Sequence, residues 1–199
     1  EYLDTGSMYR AVALAGIRAD VDWDIPEQLV AVAAGLNIEI RDRRTLLDGV
    51  DVTDRVRMLD VTAKTKYAAD NPEIRAMMVR LQRDYASGHA NIVTEGRDQG
   101  SAVFPDAGCK IFLTATSGER ARRRMLDLEK QGETEDFDRL LSDIEMRDRR
   151  DAARSVGPLV EPADAVRVVT DGMSIDEVVA RLVELVRSRM NATGDDAPG

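Results

Sequence analysis

The chain has almost no cysteine and almost no histidine. Cys109 is the only cysteine, so no intrachain disulfide can form and the cytosol is the default compartment. His89 is the only histidine, in the turn-like Ser87-Gly88-His89-Ala90, which argues against a Ser-His-Asp triad and against a multi-histidine metal site. No apolar run approaches the roughly 18 residues that a membrane helix needs, and no signal peptide is legible. Positive charge is also short: the net charge of −9 argues against general nucleic-acid binding, which relies on a positive surface. Lysine is scarcer still, since Lys64, Lys66, Lys110 and Lys130 are the only lysines among 28 basic residues.

The other 24 basic residues are arginines, whose planar fork grips phosphate in a bidentate way that lysine does not. GC-rich coding would give the same bias. An acidic protein with concentrated arginines suggests a small phosphorylated ligand in a local pocket. At 199 residues the chain suffices for one domain with a sizeable core and small inserts.

Residues 6–17 read as a helix, with Met8, Ala11, Val12 and Ala15 at helical spacing and Asp4 or Thr5 as N-cap. A short helix over 25–36 precedes a strand at 37–40. Thr45-Leu46-Leu47 and Val50-Asp51-Val52 flank Asp48-Gly49, a hairpin signal. Short helices over 53–69 lead to Asn71-Pro72, where Pro72 suits the first turn of a helix reaching about residue 85. Strands are expected at 92–93, 110–115 and 165–169, and helices at 117–130, 136–154 and 174–190, with Ser174 as N-cap. Strands separated by helices imply an α/β fold with a mainly parallel sheet covered on both faces. Residues 191–199 read as a disordered tail.

Thr94-Glu95-Gly96-Arg97-Asp98-Gln99-Gly100 places an arginine, a carboxylate and two permissive glycines at the carboxyl tip of a strand. Open α/β sheets bind ligands at that edge: Arg97 would grip a phosphate while Asp98 accepts from a base or sugar. In the helix from 136, Phe137, Leu140, Leu141 and Ile144 mark an inward stripe. At about 100° per residue, Arg147, Asp151 and Arg154 continue it, whereas Arg149 and Arg150 point elsewhere. That face lines a pocket or forms an ion pair at a frayed helix end. Arg120, Arg122, Arg123 and Arg124 form a second cluster, either a mobile lid over polyphosphate or a solvated face. In Asp4-Thr5-Gly6-Ser7-Met8-Tyr9-Arg10, Thr5 and the first-turn amides are candidates for a phosphate at a helix N-terminus, with Arg10 adding charge.

Taken together, these segments resemble the bacterial cytidylate kinases, nucleoside-monophosphate kinases of the P-loop class. The Asp4–Arg10 opening, Asn71-Pro72-Glu73-Ile74-Arg75, the Glu95-Gly96-Arg97-Asp98-x-Gly100 turn and the Arg147-Asp148-x-x-Asp151-x-x-Arg154 helix occur in that family's order. The resemblance implies that Thr5, Arg10, Arg97 and Arg154 hold the acceptor phosphate, with Arg10, Arg97 and Arg154 serving catalysis. Arg75 and Asp98 would face the cytosine, and Arg147 and Asp151 the pentose. The implied fold is a three-layer kinase domain over 1–190, with a monophosphate-binding insert at 36–70 and a lid at about 120–150. Arg120, Arg123 and Arg124 would border the lid over ATP. The implied reaction moves a phosphoryl group from ATP, with Mg2+, to CMP or dCMP, in a monomer that touches neither nucleic acid nor membrane; no protein metal ligand is expected.

Two departures stand out. Lys66 occupies the place where the family carries a base-touching serine; it donates but cannot accept, which leaves a UMP preference open, and Thr65 would substitute if the register slips by one. No lysine follows a glycine, so the Gly-Lys-Ser/Thr ending of a phosphate loop is missing. The chain, opening on Glu1, is accordingly expected to be a fragment lacking the first strand and phosphate loop, which the family carries about two dozen residues upstream of Asp4-Thr5-Gly6. A non-catalytic cytidine-nucleotide-binding module and a purely structural α/β remnant are the competing readings. Shikimate kinase is disfavoured by the Arg75/Asp98 pair and by the long insert.

Overall fold

A computed structural model describes residues 1–130 and 132–194. They form two compact units: Glu1–Gln99 with Ser155–Gly157, and Gly100–Arg154 with the residues from Pro158 onward.

In the first unit, strand β1 (Tyr2–Asp4) runs straight into helix α1 (Thr5–Arg18). The junction is sharp because Asp4 caps the helix: its carboxylate accepts from the Ser7 amide at 3.0 Å, and the Ser7 hydroxyl donates to the Asp4 carbonyl at 2.7 Å. Ala11, Val12, Ala13 and Leu14 are all buried, so α1 is enclosed on every side rather than along one stripe. Its partners are α2 (Pro26–Ala34) and α3 (Leu59–Ala69), with Leu29, Val61 and Ala68 buried against the same core. Helix α2 starts one residue later than 25 because Pro26, which lacks an amide proton, fits the first helical turn.

Strands β2 (Ile38–Arg41), β3 (Arg44–Leu47) and β4 (Val50–Asp51) make an antiparallel three-stranded sheet. The β3–β4 turn is the expected Asp48-Gly49, with φ of 52° and 79°. A second hairpin, not expected, joins β2 to β3 through Asp42 and Arg43, both in the left-handed region. Helix α4 (Pro72–Ser87) follows α3; the Asn71 side chain accepts from the amides of Glu73 and Ile74, and Ile74 and Met78 enter the core. Strand β5 (Val93–Glu95) pairs parallel with β1 in the register Asp4↔Glu95. The carboxyl tips of both strands therefore lie side by side.

In the second unit, β6 (Ile111–Thr114) pairs parallel with β7 (Val166–Val169). Helices α5 (Ser117–Lys130) and α6 (Phe137–Ala152) intervene, and α7 (Ile175–Gly194) closes the unit. Asp136 caps α6 by accepting from the Arg139 amide. At α7, Ser174 and Glu177 form a reciprocal capping box: the Ser174 amide donates to Glu177 and the Glu177 amide donates to the Ser174 hydroxyl. Helix α7 continues to Gly194, past the expected start of a tail at residue 191; 195–199 lie outside the described residues. The β–α–β order gives parallel pairs, as strands joined through helices require.

Candidate nucleotide site

At the tips of β1 and β5, Thr5 is the first residue of α1 and is buried. Its hydroxyl donates to the Glu95 carbonyl at 2.6 Å, stitching the end of β5 to the start of α1. That contact explains Gly96: a Cβ there would stand 2.7 Å from the Thr5 hydroxyl oxygen and 2.9 Å from Gln99 Cγ. The close approach sends the chain directly into Arg97 and Asp98. Arg97 is exposed, and Arg10 lies one turn into α1, half-buried, with no ion-pair or hydrogen-bond partner among the described residues. Tyr2, half-buried beside the same edge, has its phenol pushed up by burial and by the Glu95 carboxylate. Arg57, in the 3-10 turn after the insert sheet, pairs with Asp4 at 3.2 Å.

Arg75 and Asp98 meet below this rim, and neither is open to solvent. The Arg75 side chain is 4% and the Asp98 side chain 6% exposed, and Nη2 of Arg75 donates to Oδ2 of Asp98 in a short ion pair. Nη1 of Arg75 donates to the Ala69 carbonyl at 3.1 Å, and the guanidinium lies over the Tyr9 ring, 5.6 Å from its centroid. Gln82, wholly buried on α4, accepts from the Gln99 amide at 3.1 Å. The two residues expected to face a base are thus engaged with each other, and a ligand reaches them only if something covering them moves.

Lys66 projects to solvent from α3 with its ammonium 5.0 Å from the Tyr67 ring centroid. Thr65, the alternative at that place, donates its hydroxyl to the Val61 carbonyl at 2.9 Å. His89 sits at the carboxyl end of α4, its Nδ1 2.7 Å from the Tyr85 carbonyl oxygen.

In the second unit, Asp151 is the hub of the last turn of α6. Its side chain is 2% exposed and pairs with Arg154 at 2.7 Å, more loosely with Arg147 and Arg150 at 3.7 Å. The Arg154 side chain is 9% exposed, while that of Arg147 is 56% exposed. Only the final turn of the expected inward face is therefore buried, where the chain doubles back and the Leu159 amide donates to the Asp151 carbonyl at 2.9 Å. Arg149 is exposed as expected, but Arg150 also reaches Asp151.

The α5 arginines are largely tied within the unit. Arg120 forms a two-bond pair with Asp148 of α6, and Arg123 donates to the Thr170 hydroxyl and carbonyl. Arg122 and Arg123 both donate to Glu119, and Arg124 is exposed. Hydrogen bonds from Arg122 and then Arg123 hold the Glu119 carboxyl down at about 2, from 4.5, against the opposing effect of burial. A depressed folded-state value means that the contribution of this group is complete above about pH 4.5 and is lost as pH falls toward 2. A carboxyl-resolved NMR titration should place the Glu119 midpoint near 2, moving upward in Arg122→Ala.

Parallel strands whose tips deliver a helix N-terminus and a Gly-Arg-Asp turn, with an antiparallel hairpin sheet inserted after the first helices, define an α/β protein of the P-loop nucleoside-monophosphate kinase class. The family model described as cytidylate kinase matches residues 1–188. The chain is 45% identical over 193 residues to "Cytidylate kinase" of Rhodopirellula baltica, covering 97% of this chain and 84% of that protein. It is 39% identical over 192 residues to "Cytidylate kinase" of Desulfitobacterium hafniense, covering 95% and 82%. Against "Bifunctional pantoate ligase/cytidylate kinase" of Synechococcus elongatus the identity is 42% over 206 residues, spanning 99% of this chain and 38% of that longer protein. The chain belongs to the cytidylate kinase family.

Sequence reasoning found the arginines and Asp98 but missed Tyr9 beneath Arg75, Arg57 against Asp4 and the Gln82–Gln99 pair. Gln82 had a readable signal: it falls four residues after Met78 on the buried stripe of α4, where a polar residue requires a partner.

Proposed function

We propose that this chain phosphorylates CMP and dCMP with ATP, and that its first unit carries the base-reading and phosphate-holding face. The observation that carries this reading is the buried Arg75–Asp98 pair beneath the carboxyl tips of two parallel strands, in a member of the cytidylate kinase family. Asp98, as an acceptor, suits the exocyclic amine of cytosine, and Arg75 suits its carbonyl and ring nitrogen. Arg10 and Arg97 suit the acceptor phosphate. Thr5 serves it indirectly, since its hydroxyl is committed to Glu95. In the second unit, Arg147 and Asp151 are assigned to the pentose, Arg154 to the phosphate, and Arg120, Arg123 and Arg124 to a lid over about 120–150 above the donor. The insert at 36–70 is assigned to monophosphate binding.

The acceptor nucleophile is a phosphate oxygen that is already anionic, so no side chain must remove a proton. That accords with a sole histidine held at a helix end. These residues would act by holding the acceptor in line and neutralising charge on the transferring group. Mg2+ is assigned to the donor's phosphates and water rather than to a protein cage. Among the described residues, no group of three or more His, Cys, Asp or Glu side chains could hold it. Nor does any described helix have the length and apolar character to cross a membrane; we assign the protein to the cytosol, as a monomer.

Calorimetric titration of CMP, dCMP and UMP tests base recognition on the 199-residue chain itself. CMP and dCMP should bind more tightly than UMP. Asp98→Asn, which can turn its amide to donate to a uracil carbonyl, should shrink that preference about tenfold, the value of one good hydrogen bond. An unchanged CMP:UMP ratio would remove Asp98 from base recognition.

A further inference from the structure

Ser155–Gly157 are the only residues after Gln99 that belong to the first unit. Gly157 is buried with φ +60°, and its backbone lies directly on the Arg75–Asp98 pair. A Cβ at Gly157 would overlap Nη2 of Arg75 and stand 2.5 Å from both Arg75 Cζ and Asp98 Oδ2. No other residue type fits there while the pair keeps its place. The remaining walls around the guanidinium are Tyr9 on α1 and the Ala69 carbonyl at the end of α3, both parts of core-packed helices. By contrast, none of Ser155, Val156 and Gly157 hydrogen-bonds another described residue, and the Val156 side chain is left exposed.

From this geometry we infer that Gly157 controls access to the base-reading pair: Ser155–Gly157 is a displaceable cover that the pyrimidine must lift from Arg75 and Asp98. The inference rests on the assignment of that pair to the base. A ligand that binds only the uncovered state has its apparent affinity reduced by the fraction of molecules uncovered. The close fit of a bare glycine thus sets the affinity for the nucleotide from a position that need not touch it. Gly157→Ala disfavours the covered state twice over, by overlap with Arg75 and by the left-handed backbone that alanine resists.

Two measurements decide the matter. In calorimetry, Gly157→Ala should bind CMP about three- to tenfold more tightly than the parent, while ribose 5-phosphate, which has the phosphate and pentose without the base, binds both alike. Unchanged or weaker CMP binding in a folded Gly157→Ala overturns the cover. In the unsubstituted chain, CMP should increase amide hydrogen exchange at Ser155–Gly157; protection or no change overturns the cover independently, and decides the matter if Gly157→Ala does not fold. Asp98→Asn separates the two levels. If it leaves the preference for CMP over ribose 5-phosphate intact, or if CMP does not bind at all, the base assignment fails and the cover with it. If Asp98→Asn abolishes that preference while Gly157→Ala weakens CMP binding, only the cover fails.

Discussion

Arg75→Met should lower the unfolding free energy by about 3–5 kcal/mol, read as a fall in the urea midpoint at unchanged slope. The size comes from what is left behind. Asp98 is almost wholly buried beside Arg75, and removing the guanidinium takes away the cation paired with a carboxylate that water does not reach. A second substitution sharpens the argument: Arg75→Met with Asp98→Leu should recover much of the loss, because two apolar side chains remove both desolvation penalties together. An Arg75→Met protein as stable as its parent would mean that the pair is open to solvent, and the base site would then need no cover.

The same pair shows what the sequence could and could not convey. Local signals were legible because they act through the backbone. Asn71-Pro72 set the start of α4, Asp48-Gly49 turned a hairpin, and Ser174 capped the last helix. The Glu95-Gly96-Arg97-Asp98 turn was legible too, since a strand tip in an α/β fold is a place where ligands bind. Partner choice was not legible. Asp98 is 23 residues from Arg75, and nothing in spacing says that the two pair with each other. Likewise Arg120 is taken by Asp148, 28 residues on, so a cluster that reads as lid or solvated face is in large part an internal tie. The Asp42-Arg43 turn escaped because both residues adopt positive φ without a glycine to announce it. Helix α1 read as amphipathic; it is enclosed because α2 and α3 cover the sides that its small residues leave bare, a tertiary fact.

Arg10→Ala should weaken CMP binding by about 10- to 100-fold, the loss expected for charge-assisted hydrogen bonds to a phosphate. The urea midpoint should stay close to the parent's. The asymmetry follows from commitment: among the described residues Arg10 has no partner that its loss would strand, so its guanidinium is available to a ligand at the start of α1. Arg154 is the instructive contrast, because it pairs with the buried Asp151 at 2.7 Å. Arg154→Ala should therefore lose stability as well as any phosphate contact, and its binding defect cannot be read without the unfolding curve beside it. Ribose 5-phosphate makes the reading of Arg10 specific, since a phosphate contact must be lost equally for a ligand with and without the base. If Arg10→Ala bound CMP like its parent, the acceptor phosphate would have to be held elsewhere, and the clamp at the tips of β1 and β5 would fall with it.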